Sequence, residues 1–245
     1  MNRILFERDE IRGGLATFGG ARAEHVLKVL HGAVGQVLKT GEVDGPVGTA
    51  EIVGIGGPEA PCVTVRCAHT AASRRPWIDL LLAPPRPRVL KRLLPQLATI
   101  GVGRIVLVGA EKVEKAFWGA TLLNPENYRP LLVDGLMQAG TSILPTVATR
   151  RNLRRFVRDE LDALFPASVR IVAHPYAAPG GGPAAAPGLG APLLAVGPEG
   201  GWTDEEVALL EAHGFVRRSL GPRILRTDTA TVSLLAQLMQ EYDRC

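Results

Sequence analysis

The sequence has few cysteines, few aromatic residues and no long apolar run. Only three of its 245 residues are cysteine, so we expect no disulfide framework and a reducing, cytoplasmic location. The longest uncharged stretch, which ends at Pro198, is broken throughout by glycine and proline, and it does not match a membrane span of ~20 apolar residues. The first residues also lack the basic-then-apolar pattern of a secretory signal. We therefore expect no membrane partner.

Several catalytic motifs are absent as well. The chain has no Gly-x-Ser-x-Gly elbow and no Gly-x-x-x-x-Gly-Lys-Ser/Thr loop, which disfavours a hydrolase and a P-loop NTPase. No Gly-x-Gly-x-x-Gly follows the apolar run at residues 78–83, which disfavours an ordinary dinucleotide fold. Cys62, Cys67 and His69 resemble a metal cluster, but on a strand the two cysteines would point to opposite faces. We therefore predict no metal site.

The composition is that of a soluble globular protein with an excess of arginine. Hydrophobic residues make up 46% of the chain and charged residues 21%. The formal net charge is +4, and 23 of the 28 basic residues are arginine, whose planar fork suits phosphate groups. The first 72 residues hold 7 basic and 8 acidic side chains, so the positive excess lies in the later part. A polyanionic partner and a GC-rich genome both remain open as explanations.

A change of pattern near residues 71–76 predicts two domains, residues 1–72 and residues 73–245. Before it, short apolar runs separated by turn signals predict a small β-barrel-like domain. Its strands are expected at residues 3–6, 36–40, 48–55 and 62–68, with one helix at residues 21–30.

In the larger region, apolar strands alternate with helical patterns, which predicts a parallel sheet buried on both faces. The strands are expected at residues 78–83, 104–109, 169–173 and 192–197. The helices are expected at residues 89–101, 125–140, 152–165, 203–213 and 227–242. Residues 177–192, nearly all alanine, glycine and proline, predict a flexible surface loop.

The first informative segment is a glycine loop at residues 197–201, which follows an apolar strand. Thr203 and Glu206 predict a capping box at the start of the next helix. A loop at the carboxyl end of a parallel strand is where open α/β sheets bind ligands. The acidic first turn already occupies the positive end of the helix dipole, which favours a neutral or cationic ligand over a phosphate. A tight strand-to-helix connection without a ligand remains the alternative.

The second segment, residues 220–230, leads into a strongly apolar helix that Thr227 or Asp228 can cap. Arg223 and Arg226 flank an apolar pair, and on an extended stretch they would face opposite sides. At most one of them is then expected to point into a cleft. The alternative is that both arginines merely reach surface carboxylates.

Together the two segments resemble those of the SPOUT superfamily of knotted RNA methyltransferases, and specifically its RsmE-type members. Those enzymes carry a Gly-Pro-Glu-Gly-Gly loop before an acidic helix start, and a Leu-Gly-x-Arg-Ile-Leu-Arg-Thr-Glu-Thr-Ala-like run near the C-terminus. Here the motifs stand at residues 197–206 and 220–230, with Asp228 in place of the glutamate. The resemblance implies a small N-terminal PUA-like β-barrel followed by an α/β domain with a C-terminal trefoil knot.

The resemblance also implies an activity, a cofactor and partners. It implies bent S-adenosylmethionine in the knot, a homodimer with its active site at the subunit interface, and N3 of uridine 1498 in the 16S rRNA of the 30S subunit as the methylated atom. The cofactor-binding positions that it implies are Ala173, His174, Val196, Gly197, Pro198, Glu199, Gly200, Gly201, Leu220, Gly221, Ile224, Leu225, Arg226 and Thr229. The expected RNA-binding residues are Arg22, Lys28, His31, Arg86, Arg88 and Arg223.

Under this reading Arg226 and Glu199 are the expected catalytic residues. Uridine N3 carries a weakly acidic proton, so a group must remove it or stabilise the uracil anion, and Arg226 is suited to the second task. Glu199, Asp228 and His174 are the candidate bases. For His174, a surface position at the end of a strand is an equal alternative.

Some residues depart from the family pattern. A Glu-Gln-Cys/Ser-Gly-Arg-like run appears here as residues 137–141, which keep only Gln138 and Gly140, and the usual Arg-Val-Leu-Arg appears as residues 28–31. A non-catalytic RNA-binding protein on the same fold, and a methyltransferase of another rRNA or tRNA, therefore remain alternatives. The basic clusters at residues 86–92 and 150–158 are candidate phosphate contacts, and solvated helix faces are the alternative for each.

Overall fold

A computed structural model describes residues 2–56, 61–166, 168–176 and 190–242. The chain divides into two compact units, the first of Met1–Arg75 with Val133–Leu144 and the second of Pro76–Leu132 with Pro145–Cys245. The first unit thus includes residues 133–144, which the predicted boundary between residues 72 and 73 would assign to the larger domain. Of the predicted loop at residues 177–192, all but the last three residues lie outside the described part of the chain.

The first unit is built on a six-stranded sheet. Its strands are β1 (Ile4–Phe6), β2 (Ile11–Arg12), β3 (Leu15–Phe18), β4 (Val37–Glu42), β5 (Val47–Ile55) and β6 (Val63–Ala71), in the order β1-β4-β5-β6-β3-β2. Only β1 and β4 pair in parallel. Helix α1 (Gly20–Glu24) continues into a π-helical turn, His25–Val29. The four predicted strands and the helix are present, whereas β2 and β3 were not predicted.

The core of the first unit is formed by side chains that alternate along its strands. Phe6 and Phe18 are buried with their ring centroids 5.4 Å apart. Ile52, Val63 and Val65 are fully buried beside them in the same cluster. A sheet with one apolar face packed on its own core is typical of antiparallel strands.

The second unit contains a six-stranded sheet with helices between its strands. The strands are β7 (Ile78–Leu82), β8 (Val102–Val108), β9 (Thr146–Arg150), β10 (Ser168–Ala173), β11 (Gly190–Val196) and β12 (Phe215–Arg218). The helices are α2 (Pro87–Ile100), α3 (Pro125–Ala139), α4 (Leu153–Asp159), α5 (Leu161–Leu164), α6 (Asp204–Ala212) and α7 (Thr227–Tyr242). Helix α3 begins in the second unit and ends in the first. Two short 3-10 turns cover Lys115–Gly119 and Thr121–Leu123.

The predicted parallel sheet is confirmed. The strand order is β12-β10-β11-β7-β8-β9, and every pair of neighbours is parallel. The central strands are mostly apolar, and all five residues of β7 are buried, Asp79 among them. Strands β9 and β12 were not predicted, because they are short edge strands that carry polar residues. A parallel sheet places the carboxyl ends of all its strands, and the loops that follow them, along one edge.

The described residues include neither a membrane-spanning helix nor a metal-binding cluster. No helix there is both long enough and apolar enough to cross a membrane. The same residues contain no group of three or more His, Cys, Asp or Glu side chains placed to hold a metal ion. The His69 imidazole contacts Thr40 Oγ1 at 2.8 Å and lies 3.5 Å from Glu42 Oε1.

Candidate active site

Three neighbouring strands end together beside the two sequence motifs. Strand β10 ends at Ala173, β11 at Val196 and β12 at Arg218, and β10 lies between the other two. The register pairs Ala173 with Arg218. His174, the glycine loop and the segment that leads to α7 follow these three ends, so the structure gathers most of the predicted cofactor-binding positions along one edge of the sheet.

The glycine loop is a tight turn. The N–H of Gly201 donates to the carbonyl of Pro198 at 2.8 Å, and Gly201 has a φ of +69°, which favours glycine. A Cβ on Gly197 would lie 3.1 Å from the backbone nitrogen of Trp202, so a side chain there would crowd the turn. Lys112 Nζ donates to the carbonyl of Gly200 at 3.0 Å. The glycines therefore serve the shape of the loop itself, and they also leave its backbone bare.

The capping box predicted after the loop is confirmed. The N–H of Glu206 donates to Thr203 Oγ1 at 3.3 Å, and the N–H of Thr203 donates to Glu206 Oε2 at 2.9 Å. The other oxygen of Glu206 accepts the backbone N–H of Glu111 at 2.7 Å. This buried carboxylate therefore fixes the start of α6 to the segment that follows β8.

Glu199 projects from the glycine loop, and its carboxylate is held by the backbone that connects β7 to α2. Its Oε1 accepts the backbone N–H of Arg86 at 3.0 Å, and Arg86 is the residue that precedes helix α2. Oε2 has no hydrogen-bond partner among the described residues. One carboxylate oxygen thus positions the loop while the other remains available for chemistry.

The second motif forms an exposed surface. Leu220, Ile224 and Leu225 are exposed apolar side chains, and Ile224 is 74% exposed. Gly221 has a φ of +115°. Arg226 is 71% exposed, and its Nε lies 3.6 Å from Asp228 Oδ1. Apolar area of this kind, beside bare glycine backbone, suits a ligand or a second protein surface.

The predicted cap of α7 was wrong by one to two residues. The helix begins at Thr227, and the carbonyl of Arg226 accepts the N–H of Ala230 at 2.8 Å. Thr227 and Asp228 therefore lie in the first turn, where the Asp228 side chain accepts the N–H of Thr229 at 3.0 Å. The side chains of Arg223 and Arg226 are both exposed.

Helix α2 holds both motifs in place. Its N-cap residue Arg86 donates to Glu199, and Arg92 NH2 donates to Asp228 Oδ2 at 3.1 Å. These two α2 positions are six residues apart, which is about 9 Å along a helix axis. The two motifs are therefore anchored within reach of one ligand.

His174 lies at the same edge of the sheet, in surroundings that favour the neutral imidazole. Burial lowers the pKa of its imidazole, and the nearby Arg217 guanidinium lowers it further, against the opposing charges of Asp204 and Glu211. The backbone N–H of Tyr176 donates to His174 Nδ1 at 3.3 Å, so the neutral ring carries its proton on Nε2. Of the three candidate bases, His174 already accepts a hydrogen bond at Nδ1, and both carboxylate oxygens of Asp228 already contact other groups of the protein.

The expected RNA-binding residues differ in whether their side chains already contact other groups of the protein. Arg22 donates to the Leu5 carbonyl, pairs with Glu10, and lies 5.6 Å from the ring centroids of Phe6 and Phe18. This arginine therefore has a structural role. The side chains of the other five are exposed, although Lys28 lies 3.6 Å from Glu24: Lys28, His31, Arg86, Arg88 and Arg223.

Sequence reasoning missed a cavity of about 580 Å³ at the carboxyl ends of β8 and β9. Its walls include Gly109, Lys115, Trp118, Arg151 and Arg154. The available signal was the spacing of Lys115 and Trp118, because side chains three residues apart eclipse in a 3-10 turn. The run of arginines at residues 150–158 is visible in the sequence, but its position beside Trp118 depends on the pairing of β8 with β9.

Comparisons with known proteins agree with one another. A family model described as an RNA methyltransferase domain matches residues 73–239. The chain is similar to ribosomal RNA small subunit methyltransferase E of Treponema pallidum, with 30% identity over 243 residues, 98% of this chain and 91% of the relative. It is also similar to a Legionella pneumophila protein described as a methyltransferase with bound cofactor SAM, with 26% identity, a TM-score of 0.75, and coverage of 98% and 97% of the two chains. Ribosomal RNA small subunit methyltransferase E of Neisseria gonorrhoeae, bound to S-adenosyl methionine, shares the fold with a TM-score of 0.75 at 20% identity, over 98% of this chain and 97% of that one.

Proposed function

The chain belongs to the family of ribosomal RNA small subunit methyltransferase E, and from that premise we propose that it methylates N3 of uridine 1498 in the 16S rRNA of the 30S subunit. Membership makes it an S-adenosylmethionine-dependent rRNA methyltransferase; the nucleotide, the atom and the 30S particle are the proposal. The observation that carries it is the anchoring of both motifs on helix α2, through Glu199 and Asp228.

The residues at this edge of the sheet fit S-adenosylmethionine. A Cβ on Gly201 or Gly221 would meet no heavy atom within 4 Å, so both positions turn bare backbone toward open space. Leu220, Ile224 and Leu225 offer exposed apolar area for the adenosine. The acidic first turn of α6 suits a cationic ligand better than a phosphate. When bound, the cofactor supplies an electrophilic methyl group on a sulfonium.

Positioning is the main task of the protein in such a transfer. An in-line displacement needs the two reacting atoms held in close alignment and shielded from water. The Pro198–Gly201 turn, the capping box and the Glu199–Arg86 bond fix the loop before a ligand arrives. The backbone groups of this loop therefore need little rearrangement to hold the cofactor.

In this proposal Glu199 is the general base. Its Oε1 is fixed by the N–H of Arg86, and its Oε2 is left to accept the proton from uridine N3. Asp228 is less suited, because its two oxygens already contact Arg92, Arg226 and the N–H of Thr229.

Arg226 is the proposed stabiliser of negative charge. Loss of the N3 proton delocalises charge onto the uracil carbonyl oxygens, and a guanidinium beside one of them lowers the energy of that state. Asp228, at 3.6 Å from Nε, limits the directions that the exposed Arg226 side chain takes. The remaining N–H groups of the guanidinium stay available for the carbonyl oxygens of the uracil ring.

Family membership also supports finer structural statements. We propose that the first unit is PUA-like, that the α/β domain has a C-terminal trefoil knot, and that two copies assemble with their active sites at the interface. Four exposed apolar side chains support a surface that a second copy of the chain covers: Val216, Leu220, Ile224 and Leu225. A ribosomal RNA substrate places the enzyme in the cytoplasm.

The altered run at residues 137–141 keeps a structural role. The carbonyl of Met137 accepts the N–H groups of Asn2 and Arg3 at 3.0 Å, and Arg3 Nε donates to the carbonyl of Gly140 at 2.9 Å. These bonds use the backbone, so they do not depend on the side chains that the family pattern has at these positions. The departures therefore leave this part of the fold intact.

Calorimetric titration with S-adenosylmethionine separates the proposal from a non-catalytic RNA-binding protein on the same fold. Binding in the micromolar range supports an enzyme, and no binding leaves only the RNA-binding module. Mapping of modified uridines in ribosomal RNA from a deletion strain separates 16S rRNA from other RNA substrates. The proposal requires the loss of one N3-methylated uridine in the small subunit.

A further inference from the structure

The cavity at the ends of β8 and β9 is built from two segments that approach each other closely. The N–H of Gly109 donates to the carbonyl of Arg150 at 2.7 Å, and the N–H of Leu153 donates to the carbonyl of Gly109 at 3.0 Å. A Cβ on Gly109 would collide with the carbonyl of Arg151, so this approach requires glycine. The cavity volume, about 580 Å³, lies within the range of small-ligand sites.

The walls of this cavity combine an aromatic ring with positively charged side chains. Lys115 and Trp118 stand on the same side of one 3-10 turn. Arg151 and Arg154 face the cavity from the other segment, and the side chains of these two arginines and of Lys115 form no hydrogen bond or ion pair within the described part of the chain. Trp118 is half-buried and rests partly on the core.

The neighbouring arginines differ in this respect. Arg150 pairs with Glu160 at 2.7 Å, and Arg155 pairs with Asp159 at 3.5 Å. Arg151 and Arg154, which line the cavity, form no such ion pair, although the positive charge of Arg154 acts on the exposed Glu205 carboxylate. What distinguishes Arg151 and Arg154 from the other arginines of this run is their place beside Trp118 in the cavity wall.

Two carboxylates share the cavity with the three cationic side chains. Both oxygens of Glu206 are used by the backbone N–H groups of Glu111 and Thr203, so this side chain is committed to the fold. The Glu111 side chain is exposed and offers one acceptor group. The positive groups outnumber the carboxylates, which favours an anionic ligand that also has hydrogen-bond donors.

The cavity is joined to the proposed cofactor loop. Lys112, in the segment that forms one wall, donates to the carbonyl of Gly200. Strand β8 lies two positions from β11 in the sheet, which is about 10 Å at the usual strand spacing. A ligand in this cavity therefore lies beside the reacting centre but apart from it.

We propose that this cavity binds one unpaired nucleotide of the RNA substrate, next to the nucleotide that is methylated. The base stacks on the Trp118 indole, and Arg151 and Arg154 bind phosphate oxygens. Aromatic stacking and guanidinium contacts are the usual means of holding unpaired RNA. An acidic peptide would use the charges but not the indole. The inference rests on the proposed function, because it takes RNA to be the substrate.

The test compares binding of 30S particles, purified from a strain that lacks this protein, across a series of salt concentrations. Three variants are compared with the wild type: the double variant Arg151→Gln/Arg154→Gln, the variant Trp118→Leu, and the control Arg155→Gln. The double variant should weaken binding about tenfold and reduce the salt slope by up to about two. Trp118→Leu should weaken binding about tenfold with the slope unchanged. Arg155→Gln should bind as the wild type does.

A conservative variant separates stacking from damage to the fold. Trp118→Phe keeps an aromatic face and should bind within about threefold of wild type, and all variants should bind S-adenosylmethionine normally. Unchanged binding by Trp118→Leu and the double variant would overturn the inference, as would an equal loss in Arg155→Gln or a wild type that does not bind the particle. A wild type that binds the particle without methylating it would contradict the proposed function, while these binding comparisons would still decide the cavity's role.

Discussion

The Glu199 carboxylate accepts the backbone N–H of Arg86 at 3.0 Å, although the two residues are 113 positions apart in the chain. This bond fixes the glycine loop to the start of α2, and it uses only one of the two carboxylate oxygens. Positioning and proton removal can therefore be assigned to different atoms of one side chain, and two substitutions separate them.

Glu199→Gln should bind S-adenosylmethionine normally and turn over slowly. The amide oxygen of Gln can still accept the N–H of Arg86, but the amide cannot take up a proton, so we expect turnover to fall by about 100-fold or more. Glu199→Ala should lose cofactor affinity as well, because it also removes the bond to Arg86. Calorimetry and single-turnover methylation measure the two effects. Near-normal turnover by Glu199→Gln would show that Glu199 only positions the loop.

Arg226→Ala should lower turnover on the order of 100-fold while cofactor affinity changes little. The expected loss is that of a group that stabilises charge only in the transition state. Arg226→Lys should recover little of it, since a flexible ammonium does not reproduce the planar fork. Arg223→Ala is the matched control, because its side chain is also exposed and lies three residues away. The assignment fails if the Arg223 variant is the more impaired of the two at saturating cofactor and 30S substrate.

Gly200→Val should weaken cofactor binding about tenfold or more while the protein stays folded. A Cβ at this position would lie 3.0 Å from Lys112 Cδ, so a valine would crowd the Lys112 side chain and disturb the loop that we propose binds the cofactor. Lys112→Met is the control, because it removes only the hydrogen bond to the Gly200 carbonyl. Cofactor affinity is measured by calorimetry and folding by thermal unfolding. Wild-type affinity in Gly200→Val would place the loop outside the site.

Stability should fall as the pH drops below about 6.5, and His174 should contribute to that fall. Burial, followed by the charge of Arg217, lowers the pKa of folded His174 below the ordinary histidine value of about 6.5. Between the two pKa values the unfolded chain binds more protons than the folded chain, so acid favours unfolding. His174→Asn keeps an acceptor for the Tyr176 N–H but cannot be protonated. Urea unfolding from about pH 5 to pH 8 should therefore show a weaker pH dependence in the variant, and identical curves would contradict this role.

The elements that sequence reasoning located best are those whose burial shows in the sequence. Strand β7 is apolar except for Asp79, the later part of β11 is a continuous apolar run, and the Thr203–Glu206 capping box marks the start of α6. Strands β9 and β12 were missed, because a short edge strand has few buried positions and its polar residues read as a loop. Local patterns thus located the centre of the sheet but not its edges.

Contacts between distant residues set the limit of sequence reasoning at the site. The motif residues were identifiable, but nothing in the sequence indicated that Arg86 would hold Glu199. Arg22 was expected to bind RNA, and its position beside both Phe6 and Phe18 depends on the folding of three separate segments. The pairing of β8 with β9, which brings Arg151 near Trp118, is likewise a property of the fold.

Methylation of purified 30S particles tests the central claim most directly. Particles from a strain that lacks this protein are incubated with the protein and S-adenosylmethionine, and the 16S rRNA is then digested and analysed by mass spectrometry for methylated uridine. We expect one 3-methyluridine per particle, at position 1498, that appears only with both the protein and the cofactor. Methylation of another nucleotide or another atom, or no methyl transfer by a protein that binds both the cofactor and the particle, would contradict it.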